Sequence, residues 1–446
     1  MNYVPHTDRD RSEMLAEIGV ANLAELFSDI PSDVRLGREL RLPAPMSEYD
    51  LARHMGALAS KNRTTDDLVS FLGAGAYDHF VPSVVRHLVS RSEFYTAYTP
   101  YQAEISQGML QAIFEYQTLM CELTAMDVSN ASLYDGATAV AEAATMACRQ
   151  TRRQQVVVSA AVHPEYRATL KTYARNLGIE VVQVGMKGGA TDLEDLERLT
   201  SSAAASVILQ NPNFLGSVES METAAGVAHR NGALFVACVD PVSLGILAPP
   251  GEYGADIAVG EGQGLGSPMS FGGPYLGFLT CRQELIRNMP GRVAGETHDP
   301  QGRRGYILTL QAREQHIRRE RATSNICSNE ALSALAAAVY LSWLGKNGMR
   351  EVADLCLQKA HYAFDRIAAI PGFRPVSETP FFKEFAVRMP VAPEQAGAAL
   401  LESGILGGLP LGRYYPDLGD AMLIAVTEKR TKEEIDSLCR ALEGLA

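Results

Sequence analysis

No lysine occurs between Lys187 and Lys346, and the chain has one tryptophan and no Cys-x-x-Cys pair. The lysine gap removes from a long stretch the side chain whose neutral amine attacks carbonyls. Arg282 and Arg287, which lie inside it, are too basic to substitute. The seven cysteines, at 121, 148, 238, 281, 327, 356 and 439, are odd in number and widely spaced. That excludes a disulfide framework or a spaced metal site and fits reduced thiols in a cytosol. Basic residues are short too, 40 against 52 acidic for a formal net charge of −12. Sequence-independent binding of nucleic acid needs a basic surface, so no nucleic-acid partner is expected. No apolar run approaches the roughly 20 residues that span a bilayer. The start Met-Asn-Tyr-Val-Pro-His-Thr-Asp has neither the basic nor the apolar region of a signal peptide. A soluble, cytoplasmic protein without membrane contact is expected.

What is present is an ordinary globular composition, 46% hydrophobic, in 446 residues, too many for one simple core. Residues 1–70 alternate short helical patterns with proline breaks. Helices are expected over Asp8–Ile18, Leu23–Phe27 and Ser47–Lys61, as an arm or lid. Residues 71–328 read as a large α/β domain. The β-branched runs Val156–Ser159, Glu180–Val184, Ser206–Leu209, Leu234–Val239 and Ile257–Val259 alternate with the helical stretches Pro164–Leu177, Leu193–Ser201 and Met221–Asn231. Strands spaced by helices of that length imply parallel crossovers and a sheet covered on both faces. The Gly-rich stretch Gly260–Gly277 interrupts this order as a long structured loop with room for one hairpin. Arg313–Arg321 reads as a helix with a charged, solvated face. Residues 329–446 follow as a linking helix, Asn329–Leu344, and a small C-terminal α/β domain.

Four features carry candidate chemistry, each with a plainer alternative. Asp135-Gly136-Ala137-Thr138 opens a helix, either as an anion-binding turn or as an ordinary Asp-Gly helix start. His163 lies just past a strand, where it either stacks on a flat ring or is a loop histidine satisfied locally. Asp240 directly follows Leu234–Val239, fit to pair with a protonated ring nitrogen or to form a turn. Gly260-Glu261-Gly262-Gln263-Gly264 follows another strand, but the Gly-x-Gly-x-x-Gly spacing of a dinucleotide site is not met. No feature suggests a metal centre.

Longer segments carry a resemblance. Ser92-Glu93-Phe94-Tyr95-Thr96-Ala97-Tyr98-Thr99-Pro100-Tyr101-Gln102-Ala103-Glu104-Ile105-Ser106-Gln107-Gly108 closely resembles a signature of the glycine-cleavage P-protein family. Asn130–Asp135, Asp240-Pro241, Gly260–Gln263 and Ser270–Gly277 also look like that family, and the match runs nearly end to end. The implied fold is the fold type I, aminotransferase-like class of pyridoxal-phosphate enzymes, with a mostly parallel central sheet. There the four features above hold phosphate, ring, ring nitrogen and, last, the lysine that fixes the cofactor. Gln263 stands near the place of that lysine, and an amide cannot replace it.

The resemblance therefore implies one chain of a two-chain P-protein, with no catalytic residue of its own and inactive alone. The partner beta chain would carry the lysine and the pyridoxal phosphate, and an α2β2 heterotetramer would decarboxylate glycine. The aminomethyl group would then pass to the lipoyl arm of H-protein. Tyr98, Tyr101, Gln102, Glu104 and His79 are the candidates for lining the partner's pocket. Asp135, Gly136, Ala137, Thr138, His163 and Asp240 would mark a vestigial cofactor site. Two alternatives stay open: a scaffold that only stabilises the beta chain, and a self-sufficient enzyme with an unrecognised lysine.

Overall fold

The computed structural model describes residues 5–324 and 326–446. They divide into two compact units, one ending at Asn62 and one from Arg63 to Ala446. In the first, α1 (Asp8–Ile18) starts on a capping box between Thr7 and Asp10 and stops at Gly19 with φ 83°. Left-handed backbone there suits only glycine at low cost. Leu23–Phe27 forms a 3-10 turn, its five residues being too few for a stable α-helix. α2 (Glu48–Ala59) is capped by Ser47. None of these three helices contains a buried residue.

The second unit is built on a seven-stranded sheet. In chain order it runs α3 (Gln107–Thr124), β1 (Val128–Ser129), α4 (Gly136–Thr151), β2 (Gln155–Ser159), α5 (Pro164–Leu177) and β3 (Glu180–Val184). It continues with α6 (Leu193–Leu199), β4 (Ala204–Asn211), α7 (Met221–Arg230), β5 (Leu234–Val239), β6 (Ile257–Glu261) and β7 (Gly277–Cys281). The strands lie in the order β1-β7-β6-β5-β4-β2-β3. β3, β2, β4, β5 and β6 are mutually parallel, and β7 runs antiparallel to both β6 and β1.

Strand periodicity sorts the core onto two faces. Val157, Val207, Leu209, Phe235 and Ala237 pack toward α7 and the long C-terminal helix, whereas Val156, Val158, Ile208, Val236 and Ile257 pack toward α4 and α5. Burial on both faces is why these strands read as continuous apolar runs.

α8 (Ala331–Ala368) is interrupted at Gly345, where φ is 59° and ψ −174°, so the expected stop near Leu344 is a kink. It leads to a four-stranded antiparallel sheet of β8 (Arg374–Pro375), β9 (Glu384–Arg388), β10 (Leu409–Pro410) and β11 (Ala421–Ala425), in the order β8-β9-β11-β10. α9 (Pro393–Glu402) and α10 (Lys432–Glu443) cover it, and Phe385, Val387, Met422, Ile424, Leu438 and Leu442 fill the layer between. Among the described residues no helix is long and apolar enough to cross a membrane.

The charged run Arg313–Arg321 is exposed from Gln315 to Arg321, as its alternating charge suggests, but it is not one helix and its first two residues are buried. It folds as three tight turns, Gln311–Arg313, Gln315–Arg318 and Arg319–Arg321. Arg313 points inward and donates to the carbonyls of Gly291 at 3.0 Å, Leu310 at 3.1 Å and Met289. The five donors of a guanidinium can satisfy several backbone acceptors at once. A residue that looked like surface charge therefore staples two loops.

Candidate functional site

The parallel strands β2, β4, β5 and β6 all end at one edge of the sheet, and the residues singled out in sequence follow those ends. Asp135 caps α4, His163 precedes α5, Asp240 follows β5 and Glu261 closes β6. Segment 71–80 and Lys383, just ahead of β9, complete the cluster. At its centre Gly75, Tyr77, Tyr166, Gln210, Cys238, Val239, Asp240 and Glu261 line a small cleft of about 30 Å³. That is room for about one water molecule.

Apart from Ala137, each sequence candidate here has a partner within the chain. Asp135 accepts from the Thr138 N–H at 2.7 Å, and the Thr138 hydroxyl returns to the cap. The Gly136 N–H is taken by Glu261 Oε2 at 2.9 Å. Glu261 Oε1 also accepts from the N–H of Gln263 at 3.0 Å and of Leu276 at 2.8 Å. Ala137 follows Gly136 in the first turn of α4. Glycine is required at 136 because a Cβ there would lie 2.5 Å from the Tyr166 hydroxyl. His163 donates from Nε2 to Ala74 O at 2.9 Å and accepts from the Glu165 N–H at 3.1 Å. Its ring stacks on Tyr166, centroids 4.5 Å apart and planes 15° from parallel. Burial pushes the His163 pKa down, consistent with a neutral ring.

Lys383 is the residue that sequence reading missed. It is 2% exposed, and its Nζ lies 2.7 Å from Asp240 Oδ2, 2.9 Å from His79 Nε2 and 3.5 Å from the centre of the Tyr77 ring. His79 Nδ1 in turn meets Glu428 Oε2 at 2.6 Å. Burial alone would raise the Glu428 pKa, but His79 and the Phe80 N–H outweigh it and hold the carboxyl at about 2. Glu384, next to Lys383, accepts from the Ala74 N–H and the Tyr77 hydroxyl, both at 2.6 Å. Burial nonetheless pushes its pKa up to about 7. A signal existed in sequence: Lys383-Glu384 sits between Phe381-Phe382 and Phe385-Ala386-Val387. Two charges inside an apolar strand must be paired.

Gln263, near the place of the absent lysine, is 1% exposed and ties the loop after β6 to segment 71–80. It accepts from the Tyr77 N–H at 2.9 Å and donates to Tyr77 O at 3.1 Å and Ser267 O at 2.8 Å. His79, 5% exposed, therefore lies inside this cluster.

The residues at this edge do not fit pyridoxal phosphate. The N–H groups of Gly136 and Thr138, the histidine face and the strand-end carboxylate are engaged by the chain itself. The remaining space is an order of magnitude below the roughly 300 Å³ at which ligand pockets begin.

Tyr98, Tyr101, Gln102 and Glu104 lie elsewhere and are exposed, the Tyr98 hydroxyl meeting Ser328 Oγ at 3.4 Å. They belong to the irregular segment ahead of α3, which borders an open groove of about 840 Å³. Tyr98 is 79% and Ile105 81% exposed. Among the described residues no hydrogen bond engages the side chain of Gln102 or Glu104. Tyr101 is held from one side: Arg292 donates to its hydroxyl at 3.0 Å and lies 5.4 Å from its ring centre.

Residues 1–442 match the family described as Glycine cleavage system P-protein. The chain is 58% identical over 445 residues to the probable glycine dehydrogenase (decarboxylating) subunit 1 of Moorella thermoacetica, covering all of both chains. It is 53% identical to the protein of that name from Bacillus licheniformis, with 99% and 98% covered. Among solved structures, a glycine decarboxylase (P-protein) of the glycine cleavage system in inhibitor-bound form superposes with a TM-score of 0.91 at 46% identity, covering all of both chains. A NifS-like protein, at TM-score 0.64 and 14% identity over 84% of this chain and 98% of its own, shares the fold alone. The architecture is thus the fold type I, aminotransferase-like α/β class, and the chain belongs to the glycine cleavage system P-protein family.

Proposed function

We propose that this chain is the subunit of a two-subunit glycine decarboxylase that holds no cofactor, and that it completes the partner's pocket with the segment around Tyr98–Glu104. The partner beta chain, in an α2β2 assembly, supplies the lysine and the pyridoxal phosphate. That cofactor provides the electron sink for loss of carbon dioxide from glycine, after which H-protein's lipoyl arm takes the aminomethyl group. This chain's share is positional. Tyr98 and Tyr101 supply hydroxyls, Gln102 an amide and Glu104 a carboxylate, at a surface from which a second subunit excludes water.

The observation that carries the reading is the contrast of exposure. Aromatic and polar side chains at 79% and 48% exposure, for Tyr98 and Tyr101, border an open groove. Exposed apolar and aromatic side chains grouped on one segment, with Tyr95 at 57% and Ile105 at 81%, mark a contact surface. The name "subunit 1" on the relatives supports a second subunit. The test is co-expression with a candidate partner, measuring glycine-dependent exchange of carbon dioxide by each chain alone and by both. Exchange by the pair only is expected; exchange by this chain alone would overturn the proposal.

A further inference from the structure

We propose that this chain closes its own relic cofactor site with three of its side chains, each matching in charge or shape the part of the cofactor it displaces. A site that once held a phosphate, a flat ring and a protonated ring nitrogen leaves three needs when the cofactor is lost. These are a helix N-terminus with N–H groups lacking an acceptor, a histidine face without a stacking partner, and a lone strand-end carboxylate. Each would cost stability if left open.

The structure meets them one by one. The Glu261 carboxyl takes the N–H groups of Gly136, Gln263 and Leu276, an acidic oxygen acceptor in the place of an anion, these donors opposing the burial that pushes its pKa up to about 7. Tyr166 lies flat against His163, a ring in the place of a ring. The Lys383 ammonium sits on Asp240, a cation in the place of a protonated nitrogen. Lys383 comes from the strand segment ahead of β9 and Asp240 from the end of β5, so the third stand-in also ties the C-terminal sheet to the central one. Lys383 is accordingly no hidden anchoring lysine. It faces the ring-nitrogen partner instead of the aldehyde's place, and an ammonium bound to a carboxylate is no nucleophile.

The test is chemical rescue. In the full-length chain carrying Glu261→Ala, three N–H groups lose their acceptor around a vacated anion place. The melting temperature should fall by several degrees, and inorganic phosphate should restore part of that loss, whereas chloride at equal ionic strength should not. The unaltered chain should gain nothing specific from phosphate. Equal gain by both chains, or none by the variant, would overturn the proposal. Should the variant fail to fold in either buffer, the unaltered chain decides by equilibrium dialysis with pyridoxamine phosphate, which has no aldehyde for surface lysines to capture. No retention supports the closed site; stoichiometric retention refutes it.

Discussion

The edge of the central sheet and the segment ahead of α3 draw on the same vocabulary of Tyr, Gln and Glu, yet they end in different states. At the sheet edge Tyr77, His79, Gln263 and Glu384 find partners inside the chain, and about 30 Å³ remains. Ahead of α3, Gln102 and Glu104 find none among the described residues, beside a groove of about 840 Å³. The composition of a cluster therefore does not tell an open surface from a filled one. What separates them is whether the chain's own groups satisfy the donors and acceptors. Damage to the first region should appear as lost stability, and damage to the second as lost turnover.

The largest stability effect is expected at Lys383. Lys383→Met keeps the stem but strips Asp240 of its cation, leaving a half-buried carboxylate with only the Val242 N–H, at a cost of about 2–4 kcal/mol. Asp240→Asn in the same chain should recover part of it, read by urea unfolding as a coupling between the two sites. Additive losses would break the claim that the pair acts as one unit.

In the open region, Gln102→Ala with Glu104→Ala should leave the melting of this chain within about 0.5 kcal/mol of its parent, as for exposed, unengaged side chains generally. Turnover of the assembled pair should fall about a hundredfold, the scale of misplaced reacting groups. Unchanged turnover with intact assembly would favour a scaffold role.

A smaller effect separates the regions by pH. Glu384 has its pKa raised to about 7, against about 4.5 in the unfolded chain. The folded state keeps its proton where the unfolded state releases it. Stability from this group is present below about pH 4.5 and lost as pH rises through about 7. Glu384→Gln should flatten that slope by roughly 1–3 kcal/mol in unfolding measurements at several pH values. Glu428 works in the other direction: held at about 2, it contributes stability above about pH 4.5 that is lost as pH falls toward 2.

The strands β3 and β5 and helix α5 were legible to the residue, because apolar runs bounded by Gly, Pro or Asp leave few alternatives. The order of Asp135, His163, Asp240 and the loop after β6 was legible too, since a sheet with parallel crossovers brings its strand ends to one edge. What filled that edge was not. Lys383 reaches Asp240 across 143 positions, counted as 383 minus 240, and no local pattern encodes such a meeting. Glu261 was read as part of a glycine-rich loop because its role depends on where the Gly136 N–H points. Arg313 was misread for the same reason, its charge pattern being local and its carbonyl partners near Gly291 not.

The most direct test of the division of labour is borohydride reduction of the assembled pair with bound pyridoxal phosphate, followed by peptide mass mapping. The account predicts a phosphopyridoxyl group on one lysine of the partner and none within the sheet edge of this chain. A stoichiometric adduct on Lys383 would contradict it.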